Sequence, residues 1–178
     1  MSITEAVQAV PTGIWKSDSI HSSVGFAVQH MGVSAFRGTF GDFDAILTGD
    51  QLVGSARVET ISTPDENLTG HLLSPEFFDA ERYPELRFES REIRRDGDHL
   101  VVPGELTLKG VSRPVELRGI ITEPIDDPYG KRRLGLELGT TIDRTDFGID
   151  WNAELPSGGK VLADEVELTA RLELVQEA

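Results

Sequence analysis

The sequence predicts an all-β fold, an eight-stranded antiparallel barrel with a short helical insertion near residues 64–80. Three observations predict it. Apolar and polar residues alternate with period two from Thr12 almost to the end, as in strands with one buried face. Clusters of Gly, Pro and Asp punctuate these runs at short intervals, the spacing of an all-β domain. Several runs exceed ten residues, against roughly five or six for an ordinary strand. Long strands with one apolar face suit closure into a barrel, which removes their edges. A two-sheet sandwich is the competing architecture.

The elements follow in order. Strands are expected at 13–18 and 20–30, where Val24, Phe26 and Val28 share a face. Whether these two are one bent strand decides between eight and nine strands in all. Strands at 36–48 and 52–62 flank the Gly49-Asp50 turn. Residues 63–84 break the pattern. Thr63-Pro64-Asp65-Glu66 reads as a helix start, with Thr63 as N-cap, Pro64 at the first helical position and Glu66 closing a capping box. Ser74-Pro75-Glu76 reads as a second start, so one or two short helices carry Leu72, Leu73, Phe77 and Phe78. Four large apolar groups on a connection belong against or inside a barrel mouth, as a plug that completes the core or as a gate. Leu86 and Phe88 open a strand at 85–95, and Asp96-Gly97 turns it into 98–109 through a primed hairpin. Strands at 114–123 and 131–144 follow, the latter alternating through Leu134, Leu136, Leu138, Thr140 and Ile142. The last, 161–175, alternates strictly from Glu165 to Leu174.

A length of 178 residues argues for one domain, with residues 1–11 as an N-terminal extension in which 3–10 form a short helix before Pro11. Leu, Ile, Val and Phe make up 51 residues, enough for a core and well outside disordered composition. Cysteine is absent, which excludes disulfides, thiol catalysis and thiolate metal sites. The formal charge of −14 repels phosphate backbones and anionic lipid, so nucleic acid is not an expected partner. No apolar run reaches the 18 or so residues of a membrane-spanning helix, so stable membrane insertion is not expected. The first basic residue is Lys16, and the N-terminus has no secretory pattern. The expected compartment is the cytoplasm, or the periplasm or exterior if a leader has been removed.

Candidate chemistry is sparse. His21, His30, His71 and His99 form no HExxH or H-x-x-x-H pair. His21 and His30, nine residues apart on extended chain, are roughly 30 Å apart and cannot share a metal without a sharp bend. His99 follows a hairpin tip and is expected in solvent. His30 continues the inward face of Val24, Phe26 and Val28, either as a core-edge histidine satisfied by backbone or as a ligand contact. His71, on the insertion, is placed to meet it across a barrel mouth. Asp146-Phe147-Gly148 matches the kinase magnesium motif in letters only, because no Gly-rich loop or HRD element accompanies it. It reads as a turn whose Asp side chains satisfy backbone amides. No nucleophile elbow, P-loop or dinucleotide fingerprint occurs. No cofactor and no metal site are expected.

Several stretches in order resemble the YceI-like, polyisoprenoid-binding family of bacterial lipocalin-like proteins. They are Trp15-Lys16-Ser17-Asp18, Ile20-His21-Ser22-Ser23-Val24-Gly25-Phe26, Val28-Gln29-His30-Met31 and Gly38-Thr39-Phe40. Next come His71-Leu72-Leu73-Ser74-Pro75-Glu76-Phe77-Phe78-Asp79, Tyr83-Pro84-Glu85-Leu86-Arg87-Phe88, residues 104–111 with Pro114-Val115, and Arg144-Thr145-Asp146-Phe147-Gly148-Ile149. The likeness covers about residues 13–175. It implies an extended lipocalin-like barrel around an elongated apolar pocket. That pocket would bind and carry or store an isoprenoid-type amphiphile, a polyprenyl chain or a quinone, without catalysis. Members often pair as homodimers, which nothing in this sequence decides. Where the family commonly has Arg-Asp before the helical His-Leu, this chain has Leu68-Thr69-Gly70. If that cation holds a charged headgroup elsewhere, this chain prefers a neutral ligand or uses another cation.

On this reading the lumen is lined by Val24, Phe26, Val28, Phe40, Phe88, Leu106, Leu108, Leu136, Leu168 and Leu172. Phe77 and Phe78 close one end, and His30 supplies a polar contact. The rival functions are a filled barrel acting as a stress-related interaction module, a hydrolase or isomerase using His30 and His71, and a metal- or quinone-linked redox protein.

Overall fold

The computed structural model describes residues 9–178; the helix expected at 3–10 lies largely outside them. Alternation becomes register along the whole chain. Strand β1 (Trp15–Ser17) and β2 (Ser23–His30) are halves of one broken strand, as are β3 (Ser34–Phe40) and β4 (Phe43–Thr48). β5 (Gln51–Arg57) continues through a single 3-10 turn into β6 (Ile61–Ser62). β7 (Glu85–Ser90), β9 (His99–Leu108), β10 (Val111–Ile121), β12 (Arg132–Asp143) and β13 (Leu162–Gln176) complete the circuit. Each pairs antiparallel with its sequence neighbour, and β13 returns to both β1 and β2. The result is a closed eight-stranded meander, with β8 (Arg94–Asp96) and β11 (Ile125–Asp126) as short outer additions. One helix, α1 (Glu66–Leu73), stands on the connection before β7.

The two ends of the barrel are stopped differently. At the end holding β1, the side chains of Trp15, Leu47, Leu100, Leu134 and Leu174 fill the interior, joined by Val10 from the preceding segment. Trp15 is fully buried, and its indole Nε1 donates to the carbonyls of Pro11 at 3.3 Å and Thr12 at 3.2 Å. A buried indole N–H needs such a partner. At the other end, Leu72 of α1 and the following Phe77 drop into the core, with Phe78 partly buried beside them.

Turn chemistry sets four local departures from the expectation. The helix starts two residues later than the capping-box reading, because Asp65 rather than Thr63 is the N-cap, its Oδ1 accepting from the Asn67 amide at 3.0 Å. Thr63 is taken by a tighter bond: its hydroxyl donates to the Asp65 carbonyl at 2.8 Å. The second helix start at Ser74 is instead a turn, in which the Ser74 carbonyl accepts from the amides of Phe77 and Asp79. The β9–β10 hairpin closes through Lys109-Gly110, both at positive φ (51° and 73°), so β10 begins at Val111 rather than at residue 114. Positive φ at both central residues is the primed turn that matches strand twist. Similarly, the loop between β8 and β9 is Gly97-Asp98, one residue beyond the expected pair.

Pro114 lies inside β10 without breaking the sheet. It pairs with Glu105 of β9 on one side, while β12 joins the other edge only from Arg118 onward. A proline without an N–H is tolerated where a ladder has no partner to lose. The ladder gap is spanned by the 3-10 turn Arg144–Phe147, whose Asp146 carbonyl accepts from Arg113 Nε at 3.1 Å.

Glycines on neighbouring strands make room for two lumen rings. A Cβ on Gly38 would lie 2.5 Å from the Phe26 ring, and one on Gly104 would lie 2.6 Å from the Phe88 ring. Gly38→Ala is therefore expected to push Phe26 off its rotamer and to destabilise the fold by about 1–3 kcal/mol. Urea unfolding followed by circular dichroism measures it, and an unchanged midpoint would mean that the ring moves freely.

Candidate functional site

The inward face of the barrel carries large aliphatic groups, and between the two stoppered ends they leave two cavities. The lower, of about 110 Å³, is bounded by Val24, Phe40, Phe88, Leu106, Leu168 and Leu172 among others. The upper, of about 40 Å³, lies under α1 against Phe26, Val28, Phe77, Phe78 and Leu108. Leu86 and Leu168 border both. Between the cavities the rings of Phe26, Phe40 and Phe78 meet with centroids 5.9–6.1 Å apart. Each cavity is smaller than the roughly 300–1,000 Å³ of a drug-sized ligand site. A long occupant has to part these three rings and join the two spaces.

Eleven of the thirteen residues singled out in the sequence thus stand on one or other cavity wall. The remaining two stand elsewhere. Leu136 is buried opposite Leu172 in register, toward the β1 end and on neither cavity wall. His30 ends β2, partly exposed, opposite Leu162 and Ser34, and it borders neither cavity. His71 is held by Glu76, 2.5 Å from its Nε2, and stands edge-on to Phe77 and Trp151 at 4.8 and 4.7 Å. His99 is exposed beside Asp98, as its hairpin position implies.

Pattern reading missed Leu86, Leu117, Leu138, Ile142 and Leu162 on these walls, although period two would have placed each of them inward. It also missed Arg144, although period two through Leu138, Thr140 and Ile142 carries on to this position, because an arginine is not read as an inward residue. Asp143 caps the 3-10 turn by accepting from the Thr145 amide at 2.9 Å, as the turn reading of this stretch requires, and Gly148 ends it at φ 74°. The turn carries the next residue, Arg144, inward until it is 3% exposed. Its Nε donates to the Ala163 carbonyl at 2.9 Å, and Nη1 donates to the carbonyls of Ile149 and Trp151 at 2.9 and 2.8 Å. The Ala163 carbonyl is free for this because β13 bulges between Leu162 and Val166 where it pairs with β2. Burial pulls the Arg144 guanidinium down from its ordinary value, opposed by the charges of Asp164, Asp143 and Asp150.

A charge cluster occupies the opposite end. Arg133 bonds Asp127 (2.8 Å), Asp18 (2.9 Å) and Glu173 (3.0 Å). His21 Nδ1 adds 2.9 Å to Asp18 and 3.3 Å to Glu173. Asp18, His21 and Glu173 bring ligand-type atoms within 4.8 Å of one another. The Arg133 guanidinium already stands against both carboxylates, and a divalent cation would have to displace it. The cluster ties the β1–β2 break and the β11–β12 turn to β13.

The architecture first defines a class: an antiparallel eight-stranded barrel of lipocalin-like form, closed around an apolar lumen. Known proteins narrow it. The family model described as the YceI-like domain matches residues 15–174. A UPF0312 protein of Photorhabdus laumondii is 35% identical over 164 residues, 88% of this chain and 82% of that protein. The chain belongs to the YceI-like family. The fold is shared with BcnA of Burkholderia cenocepacia, at a TM-score of 0.71, 20% identity and coverage of 90% of this chain and 99% of that one. It is shared too with a domain of Saccharophagus degradans described as polyisoprenoid binding and implicated in plant cell wall breakdown, at a TM-score of 0.66, 12% identity and coverage of 94% and 100%.

The charge cluster makes stability depend on pH in both directions. Asp18 is held well below the usual carboxylate range by hydrogen bonds from His21, the Ile20 amide and Arg133. Asp127 is lowered by Arg133 and by the Lys131 amide. Their contribution is present above the ordinary carboxylate pKa and is lost as pH falls through the lowered values. His21 is raised above 6.5 by its bond to Asp18 and by the Glu173 charge. Its contribution is full below that value and is lost as pH rises through the raised one. Arg133→Ala is expected to move the acid unfolding midpoint to higher pH, and His21→Ala to flatten the decline in melting temperature above pH 6.5. Thermal scans across pH read both, and parallel profiles for wild type and variants would contradict the assignment.

Proposed function

We propose that this protein binds and carries or stores an amphiphilic isoprenoid-type lipid, a polyprenyl chain or a quinone, in its barrel lumen, without catalysis. The observation that carries this reading is the apolar wall running from the Phe77 and Phe78 end to Leu172, bordered by aliphatic and aromatic side chains of almost every strand. The description of the Saccharophagus degradans domain as polyisoprenoid binding supports it. The energetics favour a long tail, because each CH₂ removed from water contributes about 0.8 kcal/mol. That gain is set against parting the Phe26, Phe40 and Phe78 rings. A net charge of −14 discourages loading from anionic membrane surfaces. Loading from a neutral surface, a partner protein or the aqueous pool fits the charge better.

The cavity volumes support a second reading, a filled barrel serving as an interaction module, because 110 and 40 Å³ hold little as they stand. Native and denaturing mass spectra of protein purified without detergent separate the two. A discrete extra mass that is lost on denaturation and recovered in an organic extract is the expected result. A clean apo mass with no uptake of added prenyl chains would establish the filled barrel. Leu106→Trp and Leu108→Trp fill one cavity each and are expected to lower prenyl uptake at least tenfold while the fold is kept. Undiminished uptake by both folded variants would remove the lumen as the site.

A further inference from the structure

The upper cavity has one charged residue on its border, and its guanidinium, buried just behind an apolar wall, is incompletely bonded. Among the described residues, fourteen border the cavity, and of these Arg144 alone has a polar side chain. Nε and Nη1 of its guanidinium are committed to three backbone carbonyls. Nη2 is buried with no hydrogen-bond acceptor. The nearest carboxylate to it, Asp164 Oδ1, is 3.7 Å away, beyond hydrogen-bond reach. Asp164 is not one of the residues on the cavity wall. It pairs on its outer side with Lys160 at 3.2 Å. A buried donor without an acceptor is costly, and one on a charged group more so. Building this one took a two-residue bulge in β13 and a dedicated 3-10 turn.

Resting on the lipid-binding reading above, we propose that Arg144 Nη2 is the headgroup contact of the lumen, and that it selects a neutral oxygen acceptor, an alcohol or a carbonyl, over a carboxylate or phosphate. Two features give the preference for a neutral head. Bidentate recognition of an anion uses two parallel N–H groups on one edge of the guanidinium. Each edge here has its other nitrogen already bonded to protein, so only a single-acceptor bond is available. The charge is also balanced from behind by Asp164, with Asp143 and Asp150 adding to the local negative field. An anionic head would bring a further negative charge into a dry pocket that is already neutral. The head then lies under α1, and the tail runs past Phe26, Phe40 and Phe78 toward Leu172.

A ladder of C20 prenyl compounds tests this by displacement of a fluorescent prenyl analogue. The compounds are the alcohol, the methyl ketone, the carboxylic acid and the headless hydrocarbon. Alcohol and ketone are expected to bind about tenfold more tightly than the hydrocarbon, as one hydrogen bond to a charged donor allows, and more tightly than the acid. Arg144→Lys, which cannot hold the same fork, is expected to lose the discrimination and keep the hydrocarbon affinity. Asp164→Asn leaves Arg144 in place and uncovers its charge, so it should improve acid binding relative to alcohol about fivefold or more. It carries the test even if the Arg144 variant fails to fold. Equal affinities for all heads in the wild type, or an unmoved acid-to-alcohol ratio in Asp164→Asn, would overturn the headgroup assignment while leaving the lipid carrier intact. Failure of every C20 chain to bind would overturn the carrier reading itself, and the headgroup with it.

Discussion

The structure depends on the closing strand. β13 pairs with β12 over its length from Glu165 to Val175, and on its other edge with β1 and β2 in turn. Without it the meander has two exposed edges and no lumen. Its strict alternation fixes the closure, because a slip of one residue would turn Leu168, Leu172 and Leu174 outward and Glu165, Glu167 and Glu173 inward. No compact arrangement tolerates three carboxylates in that interior. The register of this strand thus specifies the inward face of its neighbours. Leu136 meets Leu172, and Phe26 meets Leu168. The single irregularity in the strand, the bulge before Val166, frees the carbonyl that anchors Arg144.

The same physics explains what the sequence disclosed. The strand positions were legible because burial on one face writes itself as period two, and nine of the eleven singled-out cavity residues, all but Phe77 and Phe78, sit in strands. The helical insertion was legible as an interruption. Its cap was misplaced because Thr63, Asp65 and Glu66 are all competent capping groups, and which one wins is decided by the bond Thr63 makes to the Asp65 carbonyl. Leu136 is a fair prediction of an inward face and a poor one of a cavity wall. Period two says which way a side chain points but not how far along the barrel axis space remains. His30 shows the same limit at the other end of its strand.

The charged groups were legible only as composition. Arg133 lies 115 residues from Asp18 and 40 from Glu173, and closure of the barrel alone brings them together. Arg144 sits in a stretch that reads as an ordinary turn, and its turn chemistry is ordinary. Its burial follows from two features, the bulge in β13 that frees the Ala163 carbonyl and the adjoining loop through Ile149 and Trp151 whose carbonyls receive Nη1. Alternation places position 144 inward, but that a cation is held there depends on carbonyls that only the folded chain brings to it.

The two ends of the lumen differ in what opening them costs. At the β1 end, access would require breaking strand ladders on both sides of Trp15, along with the indole bonds to Pro11 and Thr12. At the other end, the cover is an eight-residue helix and a turn. A helix that short has little stability of its own and is held by the packing of its apolar face. Leu72, Phe77 and Phe78 supply that packing, and no strand ladder crosses them. Segments held by a few side chains and free of ladder bonds open at a fraction of the global unfolding cost. The helical end is therefore the lower-energy route to the lumen. It is also where β10 and β12 part company above Arg118 and where Arg144 waits on the wall.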